Sequence, residues 1–172
     1  MPNFEDHLTA SIASAKAKLA DREKVQREME AARLEEARAR AARFFEVKGR
    51  AERFKNNHLE PLFRNVQKKL TEAGFFFIGN YINDEQENRG TVGSTLECGE
   101  HCYLQAVIVY SPDKSVARVD AQTSKGACYS ASQDFNEGSS PAWFETNVAE
   151  ATGKLLESGE VPTANVARFM AR

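Results

Sequence analysis

The residues whose types could do chemistry lie in one short stretch, TLECGEHCYLQ, at positions 95–105. It holds Cys98 and Cys102, with His101 beside the second cysteine, and the third cysteine of the chain is Cys128. Cysteine thiolates and histidine nitrogens bind zinc, whereas two neighbouring thiols can form a disulfide. Cysteines in a hairpin also pack as small apolar side chains. The stretch is therefore a metal site, a redox pair or an ordinary hairpin.

The strand pattern favours the ordinary hairpin. If residues 99–101 form a three-residue loop, Cys98 lies opposite Cys102 on the covered face of the sheet, and Cys128 points to the other face. A structural zinc site needs four converging ligands, and two cysteines four residues apart miss the spacing of zinc knuckles and thioredoxin-like motifs. A two-residue turn that pairs Cys98 with His101, and so inverts the third strand, is the alternative. We predict no metal site, and a reversible bridge between the two cysteines stays open.

Other chemistry is sparse. The sequence contains no glycine-rich phosphate loop, nucleophile elbow, HExxH helix or calcium loop. The acidic segment 83–88 lacks calcium spacing, and we interpret it as the longest loop of the domain, solvated or binding a ligand. His58 is interpreted as a surface residue, and Trp143 as a packing residue or a partner anchor. We predict no catalytic, cofactor-binding or metal-binding residue and keep a dispersed, motif-less active site as an alternative.

Composition indicates a cytoplasmic protein without a membrane partner. The 172 residues include 41% hydrophobic and 28% charged residues, with a net charge of -2. The start, MPNFEDHLTA, is acidic and mixed, unlike a secretory signal, and no apolar run could span a bilayer. An odd number of cysteines in a chain of this size argues against a secreted disulfide framework.

A long helix is expected over residues 4–55. This segment contains one glycine, no proline and many Ala, Glu, Lys and Arg residues, which lose least on entering a helix. Opposite charges at helical spacing, such as Glu23 with Arg27, add ~0.2–0.5 kcal/mol each. A helix of this length measures about 75 Å, whereas a domain of ~100 residues is only about 35 Å across. Most of the helix therefore lacks a partner in its own domain.

An apolar stripe suggests what that partner is. A coiled-coil-like seam comprises Phe4, Leu8, Ile12, Ala15 and Leu19, and it resumes imperfectly at Ala37, Ala41, Phe44, Lys48 and Ala51. Between the two parts, only Val25, Met29 and Leu34 are large and apolar. We predict self-association or docking on another protein through this helix, with a solvated helix that has no partner as the alternative.

A second helix follows a predicted break. The long helix should end near Asn56, because Asn57 and Glu60 have capping-box spacing and Pro61 suits a first helical turn. The second helix then reaches about residue 73, before Gly74. Its predicted apolar stripe is Leu59, Phe63, Val66 and Leu70.

An antiparallel sheet and a packing helix complete the domain. Alternating apolar residues predict strands at 75–82, 91–98, 102–110, 115–123 and 127–132, joined as a meander by short connections. The predicted cross-strand pairs are Leu96 with Leu104, Ser94 with Ala106 and Val92 with Ile108, on the same face as Ala117, Val119, Ala121, Tyr129 and Ala131. A helix capped by Ser140 and Pro141 should cover them with Phe144, Val148, Ala151 and Leu155. Residues 161–172 are expected to form a last short helix through Val166, Phe169 and Met170.

The sequence therefore predicts an α+β fold in two parts, a helical arm at 1–56 and a domain at 57–172. Residues 1–72 hold 16 Lys and Arg against 12 Asp and Glu, and residues 73–172 hold 7 against 13. The predicted function is structural, with the arm pairing two copies or docking on a partner while the domain presents a binding surface. The alternative is nucleic-acid binding through the basic segment from Arg33 to Lys55, which has eight basic and four acidic residues.

Overall fold

The computed structural model describes residues 3–163, without the side chain of Asp6. Its helices are α1 (Phe4–Phe54), α2 (Glu60–Glu72) and α3 (Pro141–Glu157). Its strands are β1 (Ile78–Gln86), β2 (Arg89–Gly99), β3 (Cys102–Tyr110), β4 (Ser115–Thr123) and β5 (Gly126–Asp134). This is the predicted α+β class: a long amino-terminal helix, a second helix, an antiparallel sheet and a carboxy-terminal packing helix.

The predicted break near Asn56 is wrong. A π-helical segment, Lys55–Leu59, joins α1 directly to α2, and the backbone N–H of Glu60 donates to the carbonyl of Lys55. No side chain caps the start of α2, so the capping box of Asn57 and Glu60 does not form. The wider π turn lies just before Pro61, where the missing N–H and the bulk of the ring disrupt ordinary α-helical bonding. The helix therefore passes the proline instead of stopping ahead of it.

The sheet has the predicted meander order, β1-β2-β3-β4-β5, and every neighbouring pair is antiparallel. The pairs Leu96 with Leu104, Ser94 with Ala106 and Val92 with Ile108 are confirmed. So are the positions of Ala117, Val119 and Ala121 opposite β3, and of Tyr129 and Ala131 opposite β4. Side-chain alternation fixes this register, because a slip by one residue would turn every apolar residue outward.

The predicted acidic loop at residues 83–88 is wrong. Residues 83–86 continue β1, opposite residues 89–92 of β2, and only Glu87 and Asn88 form the turn. Asn88 has a φ of 66°, the left-handed conformation that asparagine tolerates in tight hairpins. The pairing of β1 with β2 therefore runs further than the strand propensities of Asp, Glu and Gln indicate.

One apolar core forms between the helices and the inner face of the sheet. On α3, the predicted residues Phe144, Val148, Ala151 and Leu155 are all buried. Leu59, Phe63 and Leu70 are also buried, whereas Val66 is half-buried. The last turns of α1 contribute Phe44 and Ala51 to the same core. Small inner residues on β4, such as Ala117 and Ala121, leave room for α3 to pack closely.

The end of the described chain is not helical where a helix was expected. Thr163 forms an isolated antiparallel bridge with Phe75, and the backbone N–H of Phe76 donates to the carbonyl of Pro162. Residues 161–163 thus pair with the segment that leads into β1. The remainder of the predicted last helix, with Val166, Phe169 and Met170, lies outside the described residues.

Contacts group the chain into two compact units, Met1–Ala42 and Arg43–Arg172. The second unit begins earlier than residue 57 because Phe44 and Ala51 pack into its core. The functional division into an arm at 1–56 and a domain at 57–172 stays a prediction. Within the described residues, no helix combines the length and apolar character needed to cross a membrane.

Candidate interaction surface

The clearest unoccupied surface in the first unit is the apolar stripe of α1. Every described residue from Asn3 to Ala42 is solvent-exposed. The large side chains of the stripe are about half or more exposed: Phe4 80%, Leu8 49%, Ile12 48% and Leu19 57%. At 100° per residue these four lie within one face of the helix. A face of this kind is what a helix presents to a partner.

The stripe does not continue evenly along the helix. Val25, Met29 and Leu34 are exposed as well, but Leu34 follows Met29 by five residues and therefore lies on another side of α1. Phe44 and Ala51, which the sequence placed in the resumed seam, are buried in the domain core and unavailable to a partner. We therefore confine the name "apolar arm face" to Phe4, Leu8, Ile12, Ala15 and Leu19.

The basic segment from Arg33 to Lys55 carries ion pairs at its domain end. The Lys48 ammonium pairs with Glu85 of β1, and the hydrogen bond and charge of Glu85 raise the pKa of Lys48. Arg50 lies 2.9 Å from Glu137 and 3.1 Å from Glu46, and Lys55 lies 3.3 Å from Glu60. A phosphate would have to compete with these carboxylates for the same cations.

The three cysteines converge at one corner of the sheet, but not as predicted. Gly99, not Cys98, lies opposite Cys102, because Glu100 and His101 form a two-residue turn and Cys98 occupies a β-bulge. Both predicted turns, the three-residue loop and the two-residue turn at Gly99 and Glu100, are therefore wrong.

Cys128 occupies a second bulge, between the pairs Ala121 with Tyr129 and Gln122 with Ala127. Its thiol donates to the carbonyl of Ala121 at 3.4 Å. Burial raises the pKa of the Cys98, Cys102 and Cys128 thiols, and the Glu160 carboxylate raises all three further. Cys128 packs against the same core as Cys98 and Cys102, so the prediction that it points to the other face of the sheet is wrong.

The described part of the chain offers no metal centre at this corner or elsewhere. Among residues 3–163, no group of three or more His, Cys, Asp or Glu side chains is arranged to hold a metal ion. His101 is exposed in the β2–β3 turn. The thiols are free and half-buried or buried, so at rest they pack as small apolar side chains.

A groove between α2 and α3 is a concave feature of the second unit. It measures about 580 Å³, and Leu62, Val66 and Val148 form part of its apolar wall. Exposed His58, on the π-helical segment, lies at one end, with its ring 4.7 Å from that of Phe54. Pro61 marks an irregularity in the sequence, but a π-helical segment there was not predicted, and segments of this kind are frequent at functional sites.

Trp143 lies at the start of α3, half-buried, with its ring edge-on to Phe144 at 4.9 Å. Its indole therefore packs against the core, and a role as a partner anchor stays a prediction. Comparisons with protein-family models, curated proteins and solved structures found no match. Function has to be inferred from the surfaces of the chain itself.

Proposed function

We propose that this is a structural, protein–protein interaction protein that self-associates through the apolar arm face of α1. The exposure of Phe4, Leu8, Ile12 and Leu19 on one side of the helix is the observation that carries the proposal. The α+β domain is then the part that each copy presents to further partners. A cytoplasmic location fits the three free cysteines, which a reducing compartment maintains.

The energetics favour a reversible assembly. A fully buried Leu, Ile or Phe side chain contributes ~1.5–3 kcal/mol, so a half-exposed one gains about 1 kcal/mol when covered. Four such residues on each of two helices therefore contribute about 8 kcal/mol of favourable free energy. This is of the same size as the ~4–15 kcal/mol that association costs in lost translational and rotational freedom. We therefore expect a concentration-dependent equilibrium, with neighbouring apolar residues such as Met29 adding to it.

The competing functions have weaker support. Nucleic-acid binding would use the cations between Arg33 and Lys55, yet Lys48, Arg50 and Lys55 already face carboxylates. A dispersed active site would need a pocket with converging titratable groups, and the groove beside His58 is the place to look for one.

A pair of charge-matched double variants tests the proposal. Leu8→Asp with Ile12→Asp places two carboxylates on the apolar arm face, and Ala10→Asp with Ala17→Asp places two on the opposite side of the same helix. We expect the first variant to sediment as a monomer and the second to associate like the natural chain. Equal association of all three proteins, with far-ultraviolet circular dichroism showing an intact sheet domain, would contradict self-association through this face.

A further inference from the structure

The β2–β3 turn brings the Cys98 thiol into contact with the backbone of Cys102. Cys98 sits in the bulge next to Gly99, whose cross-strand partner is Cys102. The Cys98 thiol lies 3.4 Å from the carbonyl oxygen of Cys102 and donates to it. Burial raises the pKa of both thiols, and interaction with Cys102 raises that of Cys98 further. The Cys98 side chain therefore lies against Cys102 in the reduced chain.

We propose that Cys98 and Cys102 form a reversible disulfide when the chain meets a peroxide. Cys98 loses its thiol proton, and its sulfur attacks one oxygen of hydrogen peroxide. The O–O bond breaks, Cys98 becomes a sulfenic acid, and the leaving hydroxide takes up the thiol proton to form water. The sulfur of Cys102 then attacks the sulfenic sulfur and displaces a second water. In sum, two thiols and one peroxide give one disulfide and two waters, with the sulfurs oxidised by two electrons and the peroxide reduced by two.

Accessibility assigns the two roles, because Cys98 is half-buried and meets peroxide first, whereas Cys102 is only 6% exposed and acts as the resolving thiol. Burial raises the pKa of both thiols, so the reaction is slow at neutral pH and faster as pH rises. Cross-strand neighbours in a hairpin have Cα atoms about 4.5–5.5 Å apart, inside the ~4.4–6.8 Å that a disulfide spans. Gly99 and Cys102 are such neighbours, and Cys98 lies one residue before Gly99 with its thiol against the Cys102 carbonyl, so the bond requires a local adjustment at the bulge.

Cys128 supplies the internal control. Its thiol is held against the carbonyl of Ala121 on β4, while the Cys98 thiol is held against Cys102 on β3. The Glu160 charge acts on all three thiols, so it cannot by itself select one pair. Selection of Cys98 and Cys102 follows from their contact across the turn.

The test treats the reduced, full-length chain with hydrogen peroxide, alkylates the remaining thiols and measures the intact mass. We expect the natural chain and Cys128→Ser each to lose two alkylatable thiols and two hydrogens, and dithiothreitol to restore both thiols. Cys98→Ser should form no internal disulfide. Cys102→Ala should form none either, and peptide mapping should place a sulfenic or higher oxide on Cys98.

Several results would overturn the proposal. One is a natural chain that keeps all its thiols at peroxide concentrations that oxidise free cysteine. Another is a mapped disulfide that includes Cys128. If Cys102→Ala does not fold, Cys98→Ser and Cys128→Ser alone decide: equal loss of two thiols in both variants contradicts the assigned pair.

Discussion

Tyr110 occupies the space that a side chain at Gly90 would need. A β-carbon at position 90 would lie 2.2 Å from Cζ of Tyr110 and 2.3 Å from its hydroxyl oxygen. The tyrosine is fully buried and cannot swing into solvent, and its ring packs 5.6 Å from that of Phe44. The contact between Tyr110 and Phe44 therefore links the end of the β2–β3 ladder to the last turns of α1.

Gly90→Ala should therefore destabilise the domain. Overpacking at a buried ring costs ~1–3 kcal/mol, and urea unfolding followed by circular dichroism measures it. Gly153→Ala is the matched control, because beyond the backbone of its own helix the added carbon would meet open space, and alanine favours a helix over glycine by ~1 kcal/mol. If both variants lose equal stability, the loss at position 90 does not come from overlap with the Tyr110 ring.

The two inner tyrosines should respond oppositely to the same substitution. The Tyr110 hydroxyl is buried and has no hydrogen-bond partner among residues 3–163, so Tyr110→Phe should leave stability unchanged or raise it by up to ~1 kcal/mol. The Tyr129 hydroxyl lies 2.6 Å from Oδ1 of Asn147 and 3.0 Å from Oε2 of Glu150. Tyr129→Phe should therefore cost about 1–2 kcal/mol. Urea midpoints in one buffer compare the two, and a reversed order would contradict the assignment.

Adjacent phenylalanines in α1 test where the domain begins. Phe44 is 7% exposed and belongs to the core, whereas Phe45 is 65% exposed. Phe44→Ala should cost ~3–5 kcal/mol, and Phe45→Ala should stay within ~0.5 kcal/mol. The comparison uses the near-ultraviolet signal of the domain during thermal unfolding. Similar losses for both would mean that the domain core does not include α1.

Glu160 should make stability depend on acid pH. Hydrogen bonds from Ser124 hold the pKa of the Glu160 carboxyl below its usual range, and Lys125 adds to this. A carboxylate with a depressed pKa contributes stability above its unfolded pKa, and the contribution is lost as pH falls through the folded pKa.

Glu160→Gln should therefore lower stability at neutral pH and flatten the decline that begins at about pH 5 and continues to about pH 3. Glu145→Gln, which removes one negative charge from an exposed position on α3, serves as the control. Urea unfolding across that pH range checks both variants. An unchanged acid slope in Glu160→Gln would show that the contact to Ser124 contributes nothing in solution.

Much of the sheet and of α3 could be predicted because one physical signal dominates there. The inward residues alternate from Val92 to Leu96 on β2, from Leu104 to Ile108 on β3 and from Ala117 to Ala121 on β4. Turns such as residues 111–114 leave little freedom in register. On α3, Ser140 and Pro141 determine where the helix begins, and four apolar residues at helical spacing determine its buried face. Such segments are predictable because local secondary-structure propensity and the pattern of burial agree.

The failures arise where tertiary contacts outweigh local signals. Asn57 and Glu60 have capping spacing, but burial of Leu59 favours a continuous helix with a π turn. Residues 83–86 have poor strand propensity, yet pairing with β2 holds them extended. The bulges that place Cys98 and Cys128 depend on single-residue shifts in pairing, which alternation alone does not reveal.

The apolar arm face was predictable as a pattern, because Phe4, Leu8, Ile12 and Leu19 recur at helical spacing in a segment without helix breakers. Its boundary was not predictable. Phe44 and Ala51 continue the same spacing, but they pack into the domain. A helix face that is buried within its own chain and one that is buried against a partner show the same apolar spacing in the sequence. The contacts in the structure distinguish the two.

Sedimentation equilibrium of the intact chain over a wide dilution series tests self-association most directly. The mass of one chain is 19.2 kDa. If α1 pairs the copies, the average mass should rise to twice this value or more at high concentration and fall towards 19.2 kDa on dilution. A mass of 19.2 kDa at every concentration would contradict it.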